Sequence, residues 1–373
     1  MSGRDFVFYA DAKSVYNHFD QVFAKIPDFS FPILTDIDQF VGDVAQIKIA
    51  GFHVAFPANT DWVSRLVQVR DLCFHVFVFC SELHADTVSQ LRLLDHDKIS
   101  VYICGQLNQP LTRSKINYWM DWFHTSSDFY ARTQPGFLDT RLDPYSPKIK
   151  SFDILLGNAR PHRTFVFNYV NSNFAESAIM TYVYYAHRSI INNDQFIMET
   201  DGVELDPDRK YHHSVDIVKY HGEPMTLSQL VPLSIYGQSA YTVVTETNFE
   251  NSFNFYTEKI VKPILGKRLF VAIAGQNYLK NLRQFGFRTF DGIIDESYDA
   301  IEDNETRWHA ALDQSRLLCS RDQAAVLHAI RDTVEHNYKL MTAKDWYSEF
   351  LDSVKQELLA LVNDAKISPA CIA

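Results

Sequence analysis

The sequence predicts an α/β protein of two domains, on three observations. Its 373 residues are too many for one ordinary core, and with 46% hydrophobic and 22% charged residues the chain is too apolar to stay disordered. Short apolar runs alternate with longer mixed segments, the pattern of strands and crossover helices in a mostly parallel sheet. The stretch from Thr133 to Lys150, with three prolines and a glycine, separates two such series and reads as a linker. The expected division is a first domain over 1–145, a second over 146–335, and C-terminal helices over 336–373, with packing of those helices back on the first domain as one arrangement.

The elements follow in order. Phe6 to Tyr9 is the first strand. Ile47 to Phe56 is a second with a turn at Gly51, and Cys73 to Cys80 is a continuous apolar run suited to burial on both faces. Leu83 to Leu94 reads as a helix and Ile99 to Cys104 as a strand. Ser114 is then expected to cap a long aromatic helix through Tyr118, Trp119, Trp122 and Phe123. Past the linker come a strand at Phe152 to Leu156, a turn at Gly157-Asn158-Ala159, and a helix from about His162-Arg163. The polar stretch from about Asn192 to Gln229 carries no clear period. Tyr241 to Thr245 and Leu269 to Ile273 are further strands, with helices at Thr257 to Leu265, interrupted by Pro263, and at Leu279 to Phe285. From Arg307 onward the chain reads as helical, and Trp346, Phe350, Leu351, Val354, Leu358, Leu361 and Val362 form a stripe expected to be a core face.

A net charge of −11 argues against a surface that coats nucleic acid through many phosphate contacts, and the Lys and Arg residues of the first domain are scattered rather than blocked. Five cysteines without a C-x-x-C spacing fit buried thiols in a reducing, cytoplasmic compartment. The N-terminus lacks the order of a secretory signal and no apolar run approaches a membrane span, so a soluble protein is expected. The Asn304-Glu305-Thr306 match bears only on a secreted chain.

The phosphate-binding loop, the G-x-G-x-x-G turn, H-E-x-x-H and G-x-S-x-G are all absent. Three Asp-x-Asp pairs occur, Asp36/Asp38, Asp95/Asp97 and Asp206/Asp208, as expected of a chain rich in Asp. They and the His212-His213 pair read as loop and turn residues rather than metal ligands.

The informative region is Val243 to Phe290. There a strand is followed by a polar turn and a helix start carrying Thr257, Glu258 and Lys259. A helix N-terminus offers N–H groups to an anion, a lysine adds a point charge, and a carboxylate binds ribose hydroxyls. These are the parts of a nucleotide-diphosphate site. An exposed helix start, capped by Thr257 with Glu258 and Lys259 in solvent, fits the same residues.

Phe249-Glu250-Asn251-Ser252 followed by Tyr256-Thr257-Glu258-Lys259 resembles the F-E-N-S and Y-x-T-E-K signature of the α-1,3-fucosyltransferases. The spacing between the two parts is two residues shorter here, and the Asp before the Tyr is absent. Thr257-Glu258-Lys259, Lys262-Pro263-Ile264-Leu265 and Gly286-Phe287-Arg288-Thr289-Phe290 are similar to glycosyltransferase-like proteins of phages and large viruses. The resemblance implies two facing Rossmann-like domains, the GT-B architecture, and an inverting transfer of sugar from a GDP- or UDP-linked donor without a required metal. It matches Arg163, with Arg160 as competitor, to the arginine that reaches the donor diphosphate, where surface arginines at a helix start are the plain alternative. Glu82, just beyond a buried strand, matches the proposed catalytic base, and a first-turn glutamate favoured by the helix dipole is its alternative. Implied partners are the nucleotide sugar and a glycan, lipopolysaccharide or small-molecule hydroxyl. A hydroxymethylated DNA base is a further acceptor class, and an inactive sugar-nucleotide-binding protein of the same fold is the reading from outside the enzymes.

Overall fold

The computed structural model describes residues 6–26, 31–43, 45, 47–54, 61–183, 190–191, 202–204 and 216–367. The Asp206/Asp208 and His212-His213 motifs and Cys371 lie outside them. The chain forms two compact units, one of residues up to Asp121 together with those from Asp345, the other of Trp122–Lys344. Segment 122–149 therefore belongs to the second unit.

The first unit is built on a six-stranded sheet of Phe6–Ala10 (β1), Ile33–Leu34 (β2), Ile47–Val54 (β3), His75–Cys80 (β4), Ile99–Ile103 (β5) and, after the short strand Gln106–Leu107 (β6), Lys115–Tyr118 (β7). The order is β2-β1-β3-β4-β5-β7 and every pairing is parallel. Strands β1, β4 and β5 are buried at every residue, as a parallel sheet covered on both faces requires. Helix Lys13–Ala24 (α1) buries Val15, Phe19, Val22 and Phe23, one stripe at helical spacing, against the sheet.

Two sequence expectations change here. Gly51 makes no turn: β3 runs through it, paired on both sides, and a Cβ there would lie 2.5 Å from Val15 Cγ1 and 2.9 Å from the Phe19 ring. The glycine marks the close approach of α1 to the sheet. Nor does Ser114 cap a helix. Lys115–Tyr118 is a strand beside β5, and the helix starts only at Asp121. Ser114 instead closes a loop, its N–H donating to Asp95 Oδ1 (2.6 Å) and its hydroxyl accepting from His96 N (2.9 Å). Asp95 also accepts from Thr112 N, Thr112 Oγ1 and Arg113 N, and Asp97 pairs with Arg113 at 2.7 Å. Burial raises the Asp95 pKa, but these donors outweigh it and hold the carboxyl well below the usual range. The second Asp-x-Asp pair is thus a loop clasp.

The last helix, Trp346–Ile367, belongs to this unit. Phe350, Leu351, Val354, Leu358 and Val362 join Phe6, Phe8, Phe77, Phe79 and Trp119 in one apolar cluster, and the Phe350 and Trp119 rings stack at 4.7 Å. Glu357, on the same helix, accepts from Ser100 Oγ, Tyr102 OH (3.0 Å), Asn117 Nδ2 (3.1 Å) and Lys115 Nζ (3.0 Å).

The second unit has a five-stranded sheet of Lys150–Asn158 (β8), Ala178–Val183 (β9), Ile190–Ile191 (β10), Ser239–Thr245 (here βC) and Phe270–Ile273 (here βD), in the order β10-β9-β8-βC-βD. Only the edge strand β10 is antiparallel. A small antiparallel sheet of Val203–Glu204, Ile217–Tyr220 and Glu223–Thr226 stands apart from it. At the heart of the main sheet Asp153 of β8, fully buried, takes Arg268 Nη2 at 2.8 Å and Thr242 Oγ1 at 2.8 Å, while Arg268 also donates to the Ser239 and Tyr241 carbonyls. Helix Glu258–Leu265 runs two residues past Pro263 before it stops, so the proline marks its last turn rather than a break.

Among the described residues no helix is long and apolar enough to cross a membrane. Cys73, Cys80 and Cys104 are buried and Cys319 half-buried, and burial pushes the Cys73 and Cys80 thiols up to about 12.

Candidate functional site

In open parallel sheets a ligand crevice forms beyond the carboxyl ends of the strands, where the strand order reverses. In the second unit the chain passes from β8 to β9 on one side and returns to βC on the other, so the reversal falls between β8 and βC. The register pairs Thr242 with Asp153, and continuing it brings Glu246 level with Gly157. The two informative segments of the sequence, Gly157 to Arg163 and Glu246 to Lys259, leave the sheet at this point.

The turn expected at Gly157-Asn158-Ala159 is not formed: β8 runs through Gly157 to Asn158, with a register irregularity against β9 between Leu156 and Asn158. The chain then enters helix Pro161–Asn173, with Arg160 extended at its N-cap position and Pro161 in its first turn. Arg160 Nη1 donates to Thr247 O at 2.7 Å. His162, fully buried, donates from Nε2 to Glu246 O at 2.8 Å, and burial lowers its pKa to about 3, so the ring is neutral. Arg163 is 3% exposed and reaches the same carbonyl at 3.4 Å. A Cβ on Gly157 would come within 3.3 Å of Arg163 Nη1, so glycine leaves the guanidinium its place. Burial, then the charge of Arg160, lowers the Arg163 pKa to about 10, which still leaves it charged at neutral pH.

The other wall is organised by Glu246, a residue the sequence reading passed over. It is fully buried one position past βC and accepts four hydrogen bonds, from Thr247 N (3.2 Å), Thr257 N (3.2 Å), Thr257 Oγ1 (2.7 Å) and Tyr278 OH (2.8 Å). Burial raises its pKa, against the pull of Lys259 and these donors. Its only sequence signal is a carboxylate placed directly after a buried strand in Thr245-Glu246-Thr247.

Thr257 caps helix Glu258–Leu265, its hydroxyl accepting from Lys259 N at 3.3 Å while donating to Glu246. Lys259 Nζ lies 2.6 Å from Glu258 Oε1, 3.2 Å from Thr247 Oγ1 and 3.3 Å from Thr257 Oγ1. Glu258 is nearly buried. Burial raises its pKa, and Lys259 with Lys262 more than reverses this, so the carboxyl lies below its ordinary value. Five sequence-predicted residues, Arg160, Arg163, Thr257, Glu258 and Lys259, thus gather around Glu246. Arg163 and Glu258 are buried, and Lys259 keeps 22% of its side chain exposed.

The Phe249-Glu250-Asn251-Ser252 stretch forms the loop between these walls. Asn248 Nδ2 donates to the Glu250 and Phe253 carbonyls, and Asn251 Oδ1 accepts from Gln276 N. Its backbone closes on Gly275, where a Cβ would fall inside the van der Waals shell of Glu250 O.

Glu82 belongs to the first unit, two residues past β4, with 28% of its side chain exposed and His84 Nε2 at 3.7 Å. Nearby His53 Nε2 and Ser81 Oγ share a hydrogen bond at 3.0 Å, and burial lowers the His53 pKa. Among the described residues no group of three or more His, Cys, Asp or Glu is placed to hold a metal ion.

The fold defines an α/β protein with parallel sheets, compatible with Rossmann-like domains. No protein-family model matches the chain, and no curated protein matches it. The chemistry of the crevice is therefore the ground for a functional reading.

Proposed function

We propose that this protein is a nucleotide-sugar-dependent, inverting glycosyltransferase of the GT-B type. The observation that carries the reading is the meeting of Arg160, Arg163 and Lys259 at the strand-order reversal of a parallel sheet, beside the buried carboxylate of Glu258. Three cations suit a diphosphate. A carboxylate beside them suits ribose hydroxyls. The motif resemblance to the α-1,3-fucosyltransferases supports the same assignment.

In this reading the donor diphosphate takes Lys259 from Glu258, and Glu258 turns to the ribose. Thr257, whose hydroxyl already serves Glu246 and Lys259, positions the lysine rather than the ligand. A carboxylate of the first unit, Glu82 by the motif, removes the proton of the acceptor hydroxyl. The oxygen forms its bond to the anomeric carbon as the bond from that carbon to the diphosphate breaks on the opposite face. Arg163 and Lys259 stabilise the charge gathering on the leaving diphosphate.

Calorimetric titration with GDP, UDP and their sugars, paired with donor-hydrolysis assays, tests this. The protein is expected to bind one nucleotide series. Lys259→Ala should weaken binding roughly 10- to 100-fold, as loss of one charge-assisted contact of about 1.5–3 kcal/mol implies. Failure to bind any nucleoside diphosphate, or unchanged affinity in Lys259→Ala and Arg163→Lys, would defeat the proposal.

A further inference from the structure

The carboxyl edge of the first unit's sheet carries a second carboxylate besides Glu82. The register sets Cys80, Ile103 and Tyr118 level across β4, β5 and β7. Glu82 follows Cys80 by two residues and Asp121 follows Tyr118 by three, so both leave the same edge from the strands that flank β5. With about 4.8 Å between neighbouring strands, their segments start about 10 Å apart, a gap two acidic side chains can close. Between them β5 runs out into Cys104 and Gly105, a buried glycine at φ 140°. Trp119 spans this edge toward β3, its ring 6.4 Å from that of His53. The indole is 4% exposed, and its buried Nε1 has no hydrogen-bond partner among the described residues.

We infer that Asp121, rather than the motif-matched Glu82 on the same sheet edge, is the catalytic base of the transfer, an inference that rests on the transferase reading above. Burial, then the charge of Glu82, lifts the Asp121 carboxyl to about 6. Around the pair, burial lowers the His53 pKa, His84 Nε2 lies 3.7 Å from Glu82, and burial raises the Tyr347 phenol. A base works best with a pKa near the working pH, and at neutral pH this carboxylate is ionised yet more basic than an ordinary one. The acceptor O–H proton passes to an Asp121 oxygen as the acceptor oxygen bonds to the anomeric carbon. The electron pair of the breaking bond leaves with the diphosphate, and Asp121 then returns its proton to solvent.

Carboxyl carbon NMR of aspartate-labelled protein, with Asp121 assigned by its loss in Asp121→Asn, reads the pair without any substrate. Wild-type Asp121 is expected to titrate near 6 and to move down in Glu82→Gln while staying above an ordinary aspartate, since burial remains. Titration near 4 in the wild type, or no movement in Glu82→Gln, overturns the pairing. With the nucleotide sugar that the hydrolysis assay identifies, Asp121→Asn should cut kcat about 10²- to 10⁴-fold at unchanged nucleotide affinity and remove the acidic limb of the pH profile. Asp121→Glu should restore part of the rate. Full turnover by Asp121→Asn overturns its role as base even if the pair exists. No turnover by wild-type protein with any nucleotide sugar overturns the transferase reading, and Asp121's catalytic role with it, whatever the titration shows.

Discussion

Removing the charge of Glu357 should loosen the last helix from the first unit without touching the candidate site. The carboxylate sits at 7% exposure and gathers Ser100, Tyr102, Asn117 and Lys115, with His75 Nε2 at 3.5 Å. Burial raises its pKa, but the hydrogen bonds and Lys115 bring it from the ordinary 4.5 down to about 2. A difference of about 2.5 pH units corresponds to about 3 kcal/mol of preference for the charged form. Lys115 keeps 59% of its side chain in solvent, and screening there reduces the figure to about 2 kcal/mol. A Gln at 357 keeps the volume but turns an amide N–H₂ toward donors that need an acceptor. Glu357→Gln is therefore expected to destabilise the first unit by about 2 kcal/mol at pH 7, read by urea unfolding, with faster amide exchange along Trp346–Ile367.

The pH dependence has a definite sign. Because the folded pKa is depressed, the stabilisation is complete above about 4.5 and is lost as pH falls toward 2, so wild type and variant should converge over that window. A gap under about 0.5 kcal/mol at pH 7, or one that stays constant down to pH 2, would refute the reasoning.

Two further perturbations probe the second unit. Gly275→Ala drives a Cβ into the Glu250 carbonyl, where backbone rather than a flexible side chain must yield. It should cost about 1–3 kcal/mol in thermal unfolding and weaken nucleotide binding through the displaced 246–257 segment. Arg268→Met strands Asp153 in the core, where burial already raises its pKa, and should cost about 3–5 kcal/mol, whereas Asp153→Leu combined with Arg268→Met should recover most of that loss in the same urea assay.

Much of the fold was legible because buried parallel strands write themselves as continuous apolar runs. Phe6–Ala10, His75–Cys80, Ile99–Ile103 and Ser239–Thr245 stand where those runs stand. The Ser114 helix failed because four residues, Lys115 to Tyr118, are too few to separate the two periods, and the neighbouring β5 decided for a strand. Gly51 was misread because a glycine that admits a helix against a strand looks, in sequence, like one that makes a turn.

The site divides in the same way. Arg160, Arg163, Thr257, Glu258 and Lys259 were visible because each stands at a strand-to-helix junction, where local sequence announces a helix start. Glu246 and Asp121 were not, since their importance comes from partners 11 and 39 positions away, Thr257 and Glu82, that only the folded sheet brings near.

The sequence by itself determined the local decisions: which segments bury both faces, where helices begin, and that the chain is an acidic α/β protein with anion-suited helix starts. Only the tertiary structure decided which strand lies beside which. That order places the reversal point between β8 and βC, draws the last helix onto the first sheet, and sets two carboxylates on one edge. The physical reason is that local conformation follows from neighbours in the chain, whereas burial, register and shifted proton affinities arise from groups far apart in sequence.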